Sequence, residues 1–306
     1  LQSLLDQYDY TSCPLVSQPG KIKREGKPMK RLSFMKLTGL LATVAVCCTF
    51  LTGCWDYRGL NEQTIVAGMA VDVDEPGEGF FLTFEVVDTS VSPKEQGVRR
   101  KLIDTRGPTY LEAIRSSVEG PYPKLYFSNT PIIIISEMVA KKYGIASLVD
   151  YILRDDELRE TVRILVAKGM KARDAFVPES EDDSLLSYNL MDAVDNITKY
   201  AGTNTDIRAY QIYNEINSKM DISFAVPAVI LDKDPKGNPI PTLSGGAAFQ
   251  NNEFKGYLEP ELMQPYLIIR NELKGGILSF NLDNNKNNDV VLEVLKCRTS
   301  RPFEYK

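Results

Sequence analysis

Apolar and polar residues fall into short blocks whose period changes along the chain. Residues 65–73 form a nearly continuous extended run, and residues 80–87 form another after the turn residues Pro76, Gly77 and Gly79. In the second run Leu82, Phe84 and Val86 share one face and Phe81, Thr83 and Glu85 the other, the two-residue period of a strand. The two runs read as a hairpin. Residues 98–105 predict a third strand, and its Arg99, Arg100 and Lys101 suit an exposed edge, where charge blocks further pairing. At residues 109–118 the spacing of Leu111, Ile114 and Val118 becomes helical, with Pro108 before it and Gly120 and Pro121 after it as stops. Four consecutive isoleucines, 132–135, predict a strand buried on both faces. Residues 145–153 place Ile145, Leu148, Val149, Ile152 and Leu153 on one side of a helix, and 161–167 return to a strand ended by Gly169.

Residues 178–183 are acidic and turn-rich, and helices are predicted over 185–200 and 206–218. A strand over 222–231 contains Pro227, which predicts an edge position because proline cannot donate to a ladder. Pro235, Gly237 and Pro239 make 232–241 a linker or a long hairpin loop. A compact hairpin follows, 245–249 and 254–258 around Asn251 and Asn252, then a helix over 259–273 and strands over 277–282 and 290–294. Strands mixed with helices on short links indicate an α/β or α+β layer with a mixed sheet, and the fold class expected for the whole chain is α+β. The expected layout is a mixed-sheet N-terminal domain with flanking helices over 54–238, followed by a smaller α+β domain from 243 to 306. A break near 180 would divide the first domain into two subdomains.

The first 54 residues carry a different pattern. Lys30, Arg31 and Lys36 precede an uncharged run, 37–51, of 15 residues. As a helix such a run reaches about 22 Å, short of a bilayer core of roughly 30 Å. A basic segment, a short apolar segment and small residues before a boundary form a secretory signal. The sequence Leu51-Thr52-Gly53-Cys54 makes it a lipoprotein signal over 29–53, cut between Gly53 and Cys54. The reason for cysteine is chemical: a thiol can form the thioether that holds a diacylglyceryl group. Two acyl chains anchor a protein stably where one does not. Met29 is the natural start, so residues 1–28 are expected to be an upstream extension.

Composition narrows the chemistry. There are 306 residues, 36 basic and 41 acidic, with no histidine. Lack of histidine excludes a Ser-His-Asp triad, a Cys-His pair and HExxH zinc chemistry. No broad basic field exists, so nucleic acid is not an expected partner. Of five cysteines only Cys54 and Cys297 follow the signal, and with Cys54 lipidated no internal disulfide can form. No cofactor is expected beyond the lipid at Cys54.

Trp55-Asp56-Tyr57-Arg58 directly after the lipid cysteine, with Leu60-Asn61-Glu62, resembles the start of the Ger(x)C lipoprotein family, the C subunits of spore germinant receptors. Gly59 stands where that family commonly has glutamate. Gly68-Met69-Ala70-Val71-Asp72 resembles the family's first-strand signature. Lys124-Leu125-Tyr126-Phe127-Ser128 is similar to its middle motif, with Asn129 where histidine is common. Leu153-Arg154-Asp155, Ala167-Lys168-Gly169 and Gly246-Ala247-Ala248-Phe249 come in the family's order. The resemblance implies a non-enzymatic subunit, lipid-anchored on the outer face of the spore inner membrane. It would assemble with two integral-membrane subunits, of A and B type, into a nutrient receptor. It also implies an incomplete last domain, because family members extend past the equivalent of Lys306. Whether such a subunit binds a nutrient directly is left open.

Trp55, Asp56, Tyr57 and Arg58 read either as a docking collar against partner subunits or as a tether lying among headgroups, since interfacial aromatics fit both. Asp155, Asp156 and Glu157 read as solvated turn residues, and Cys297 as an inert thiol. No catalytic or metal site is predicted. The competing function is a free-standing solute-binding lipoprotein, whose mark would be two similar α/β lobes; the strand order shows no such repeat.

Overall fold

Apolar runs too short for helices must find backbone partners on both sides, and here they find them in one sheet. The computed structural model describes residues 34–50, 63–75, 78–88, 100–120, 124–178, 185–218, 223–281 and 289–300. The chain divides into two units, Leu1–Tyr57 and Arg58–Lys306. In the first, helix α1 (Phe34–Phe50) spans 17 residues, and its described side chains from Lys36 to Val46 are all exposed. No helix among the described residues is long and apolar enough to cross a membrane.

The second unit begins with β1 (Gln63–Val73), β2 (Phe80–Val87) and β3 (Arg100–Gly107), an antiparallel meander in which β3 is the outer strand. Helix α2 (Tyr110–Arg115) continues into a 3₁₀ turn at Ser116–Glu119. Thr109 caps α2 by accepting from the Glu112 N–H. Next come β4 (Lys124–Tyr126), β5 (Ile132–Ser136), helices α3 (Glu137–Lys142) and α4 (Ala146–Arg154), and β6 (Arg163–Ala167). A 3₁₀ turn at Ala172–Phe176 leads towards α5 (Leu186–Asn196), which widens into a π turn at Ile197–Ala201. Helix α6 (Ala209–Ile216), β7 (Ser223–Lys233), β8 (Pro239–Gln250), β9 (Glu253–Leu258) and α7 (Pro260–Arg270) come after it. The last elements, β10 (Gly276–Asn281) and β11 (Asp289–Val294), form a separate two-stranded sheet.

The main sheet runs β3-β2-β1-β5-β6-β7-β8-β9, with β4 pairing the first residues of β1. Strands β1, β5, β6 and β7 are parallel, and antiparallel strands flank them on either side. The fold is therefore α+β with a mixed sheet, as the alternating pattern predicted. The four isoleucines explain its centre. Ile133 and Ile135 join Met69, Phe84 and Ile164 on the face covered by α4 and α6. Ile132 and Ile134 join Ala70, Leu165 and Phe176 on the other, against the 3₁₀ turn and α5. All four are completely buried, the double-sided burial that their lack of alternation predicted.

Strand β7 departs from expectation. It is interior, between β6 and β8, and not an edge. Proline is tolerated because the β7–β8 ladder shifts register between Pro227 and Val229, and β6 pairs only with Ala228 and Val229. Of the two readings of 232–241, linker or long hairpin loop, the structure shows the hairpin: β7 and β8 pair down to Lys233 and Pro239, and residues 234–238 make the turn. Its turn is held by Asp234, whose Oδ1 accepts from Lys236 N at 2.8 Å and Asn238 N at 2.7 Å. Strands β8 and β9 thus continue the same sheet. Their turn is tied back to the sheet's centre by Asn252, whose Oδ1 accepts from Ile145 N at 2.8 Å and Ala146 N at 2.7 Å at the start of α4.

One charged group lies inside. Glu85 on β2 is fully buried, and its carboxylate accepts from Leu186 N at 2.8 Å and Ser187 N at 2.9 Å, the open N-terminus of α5. The Ser187 hydroxyl also donates to it. Arg100 on β3 approaches it at 3.5 Å and donates to the carbonyls of Phe176 and Pro178. Substituting Glu85→Ala strands both the arginine and the helix terminus. A loss of about 3–5 kcal/mol in urea unfolding is expected; a change below about 1 kcal/mol would show the network to be idle. Gly68 on β1 lies beneath the same helix, and an added Cβ would stand 1.9 Å from Ser187 Oγ and 3.0 Å from Phe176 Cζ. Gly68→Ala should therefore destabilise by about 1–3 kcal/mol through overpacking, measured the same way.

Candidate functional site

Cys54, Trp55, Asp56, Tyr57 and Arg58 lie outside the described residues. The acidic triplet is described, and it is a turn. Asp155 Oδ1 accepts from Glu157 N at 2.9 Å and Leu158 N at 3.0 Å, its Oδ2 accepts from the Tyr151 hydroxyl at 2.9 Å, and Glu157 pairs with Lys124. Cys297 is a free, half-exposed thiol.

A different site emerges from topology. After β1 the chain moves to β2 and β3 on one side; after β5 it moves to β6 and β7 on the other. Between the carboxyl ends of β1 and β5 the connections diverge and leave a crevice, the position where open sheets of this kind hold ligands. A cleft of about 460 Å³ lies there. Its walls come from three segments: the end of β1 with Asp72 and Glu75, the start of α3 with Ser136 to Lys141, and the loop after β6 from Gly169 to Asp174. Gly169 adopts φ +72°, which lets the chain turn sharply off the strand.

Asp72 organises this end of the sheet. Its side chain is nearly buried and accepts from Ala172 N at 2.9 Å and Arg173 N at 3.0 Å, which fixes the 3₁₀ turn against β1. The Ser136 hydroxyl also bonds to it, and the same oxygen caps α3 by accepting from Val139 N at 3.4 Å. Burial raises the Asp72 pKa above the usual carboxylate value, only partly offset by those hydrogen bonds, and the Asp174 charge adds to the rise. Glu137 moves the opposite way. The hydrogen bond from Lys141 holds its pKa down, helped by the Tyr257 hydroxyl, which donates at 3.0 Å. Lys171 reaches Glu75 at 3.5 Å, and its N–H donates to Asp174 at 3.1 Å.

A second hollow of about 520 Å³ adjoins the first, shares Asp72, Val73, Glu75, Lys171 and Asp174, and adds Asp74, Phe81, Arg106 and Arg173, with Arg106 pairing Asp74 at 3.5 Å. The two guanidinium carbons stand 5.1 and 6.0 Å from the Phe81 ring centre. Arg173 also pairs with Asp104 at 3.0 Å. Among the described residues no carboxylates and thiols converge in a way that could hold a metal ion. The arrangement suits binding of a small polar molecule, with charges of both signs around an open space.

No local sequence pattern marks this cleft, because its walls come from three separate segments, at 72–75, 136–141 and 169–174. Partial signals were present. Asp72 lies near the end of an otherwise apolar strand, Ser136 stands at a strand-to-helix junction, and Gly169 comes just after β6.

The comparisons with known proteins identify the lineage. The family model of the spore germination protein N-terminal domain matches residues 56–231, more than half of the chain, and the chain belongs to that family. The resemblance read from the ordered motifs is thereby borne out, and its role lies in spore germination. The chain is similar to spore germination protein B3 of Bacillus subtilis (strain 168), 23% identical over 87% of this chain and 69% of that protein. Spore germination protein A3 of the same organism is 21% identical over 78% of this chain and 62% of its own length. Spore germination protein KC, also of that organism, is 28% identical over 40% of this chain and 31% of its own. The crystal structure of the GerBC protein overlaps with a TM-score of 0.39 at 17% identity, over 75% of this chain and 62% of that one. The matched part of the chain thus spans roughly two thirds or less of these relatives.

The Asp72 carboxyl should titrate with a midpoint above 3.8 when followed by carbon-13 NMR. Because the folded pKa is raised, this group favours the fold most below the unfolded value of about 3.9, and that contribution is lost as pH rises through the folded midpoint. A midpoint at or below 3.8 would contradict the burial argument.

Proposed function

We propose that this chain is the lipid-anchored C subunit of a nutrient germinant receptor, held through Cys54 on the outer face of the spore inner membrane. It acts by contact with two integral-membrane subunits and not by catalysis. The observation that carries this reading is positional: the family match begins at Asp56, two residues beyond Cys54. The family domain therefore starts where the lipoprotein signal would end. A folded body tethered by acyl chains at its first residue needs no spanning helix. Anchored in this way, Trp55 and Tyr57 would reach headgroup level, where aromatic rings favour the interface, and Trp55, Asp56, Tyr57 and Arg58 would be the part of the sequence next to the lipid.

Residues 54–306 carry nine more acidic than basic side chains. Such a body is repelled by anionic headgroups except at its tether, which leaves its faces free for protein contact.

Mass spectrometry of the amino-terminal peptide should find an acyl-glyceryl adduct on Cys54, and Cys54→Ala should release the protein from spore membranes. An unmodified Cys54 in a membrane-bound protein would refute the anchor. Co-purification from spore membranes should bring down two integral-membrane subunits; recovery of the chain alone would favour a free-standing solute-binding lipoprotein.

A further inference from the structure

We infer that the crevice between the carboxyl ends of β1 and β5 is a binding site for a small primary ammonium compound with an apolar body. The argument starts from charge. The main cleft is lined by four carboxylates, Asp72, Glu75, Glu137 and Asp174, against two ammonium groups, Lys141 and Lys171. At neutral pH the imbalance attracts a cation, and low-dielectric walls concentrate the field within a cleft. An anion would have to displace Glu75 or Glu137 from its lysine and then sit beside Asp72 and Asp174.

Prior commitments of these carboxylates restrict the kind of cation. Asp72 is held by two backbone N–H groups and the Ser136 hydroxyl, Asp174 by the Lys171 N–H, and Glu137 by Lys141 and Tyr257. They are spread along the walls and do not form a ligand cage for a metal ion. Each carboxylate has about four acceptor directions, so spare ones remain. An ammonium group brings three donors on a compact charge and can share itself among separated acceptors.

The apolar half of the ligand is indicated by the methionines. Met138, on the first turn of α3, is 60% exposed and lies at the rim of the cleft. Met170 lines the same space from the loop after β6. Thioether side chains adapt to varied apolar shapes, so two of them at one cleft can accommodate an apolar body. At Gly169 an added Cβ would meet nothing within 4 Å, so the wall between them is open. The volume of about 460 Å³ lies in the range of small-molecule sites, roughly 300–1,000 Å³.

The test compares probes that share a body and differ in the head. Saturation-transfer NMR on the full chain bearing Cys54→Ala would use n-butylammonium, n-butanol and n-butyrate at equal concentrations. Butylammonium should bind at least tenfold more tightly than butyrate, with butanol between them. Glu137→Gln and Met138→Ala should each weaken butylammonium binding several-fold. Met138 is at the surface of α3, so unchanged thermal unfolding is expected for Met138→Ala and serves as the control on folding; Glu137→Gln gives up the Lys141 ion pair, so its binding is measured well below its own, lower unfolding midpoint. Equal binding of butyrate and butylammonium, saturable binding of neither, or binding indifferent to both substitutions would overturn the proposal. The readout does not involve the membrane, so its failure is distinct from failure of the anchoring and assembly reading.

Discussion

A carboxylate buried in the middle of a sheet face is costly unless its partners are already in place, and Glu85 has them. The N-terminus of α5 offers two backbone N–H groups and a serine hydroxyl, and Arg100 offers a countercharge. This joins three distant parts of the chain. Strand β2 supplies the acid, outer strand β3 supplies the base, and α5 supplies the donors. Arg100 carries the connection onward to the carbonyls of Phe176 and Pro178, at the end of the 3₁₀ turn. The layer that covers one face of the sheet is thus held by polar contacts as well as by Phe176 and Leu190. The close fit explains Gly68, since any side chain on that part of β1 would collide with Ser187.

The same layer shapes the cleft. Asp72 stands on β1 four residues beyond Gly68 and holds the first N–H groups of the 3₁₀ turn, while Arg100 grips the carbonyls at its far end. One wall of the crevice is therefore clamped at both ends. The opposite wall is fixed by the cap that Ser136 places on α3 and by the Tyr257 hydroxyl on Glu137, a contact from β9 across the sheet. The protein has built a rigid frame around a space lined by surface-paired side chains.

Family membership and the cleft rest on different observations. Membership comes from the match over residues 56–231, whereas the cleft comes from where the strand connections diverge. The solute-binding alternative would require two lobes closing around a ligand. The described residues of the second unit instead form one large sheet, with a crevice at its switch point, and a separate pair of strands, β10 and β11.

Local pattern alone determined the strand at 132–135, the hairpin at 65–87 and the amphipathic α4, because each depends on periodicity within a single segment; it also placed β3 on the outside of the sheet, although Arg100 turns inward to Glu85 and does not guard the edge. The lack of histidine, and with it of histidine chemistry, is likewise a property of the sequence by itself. Tertiary structure decided the rest. Pro227 argues for an edge until the register shift beside it is seen, because a proline's place depends on its neighbours' ladders. Residues 232–241 read as either a linker or a hairpin loop, and only the pairing of β7 with β8 decides for the hairpin. The alternation puts Glu85 on one face with Phe81 and Thr83, but that it is buried follows only from the structure, because whether a polar face meets water or a helix terminus depends on which element packs over it. The cleft is the clearest case: its walls lie far apart in sequence, and only the order of strands in the sheet brings them to one edge.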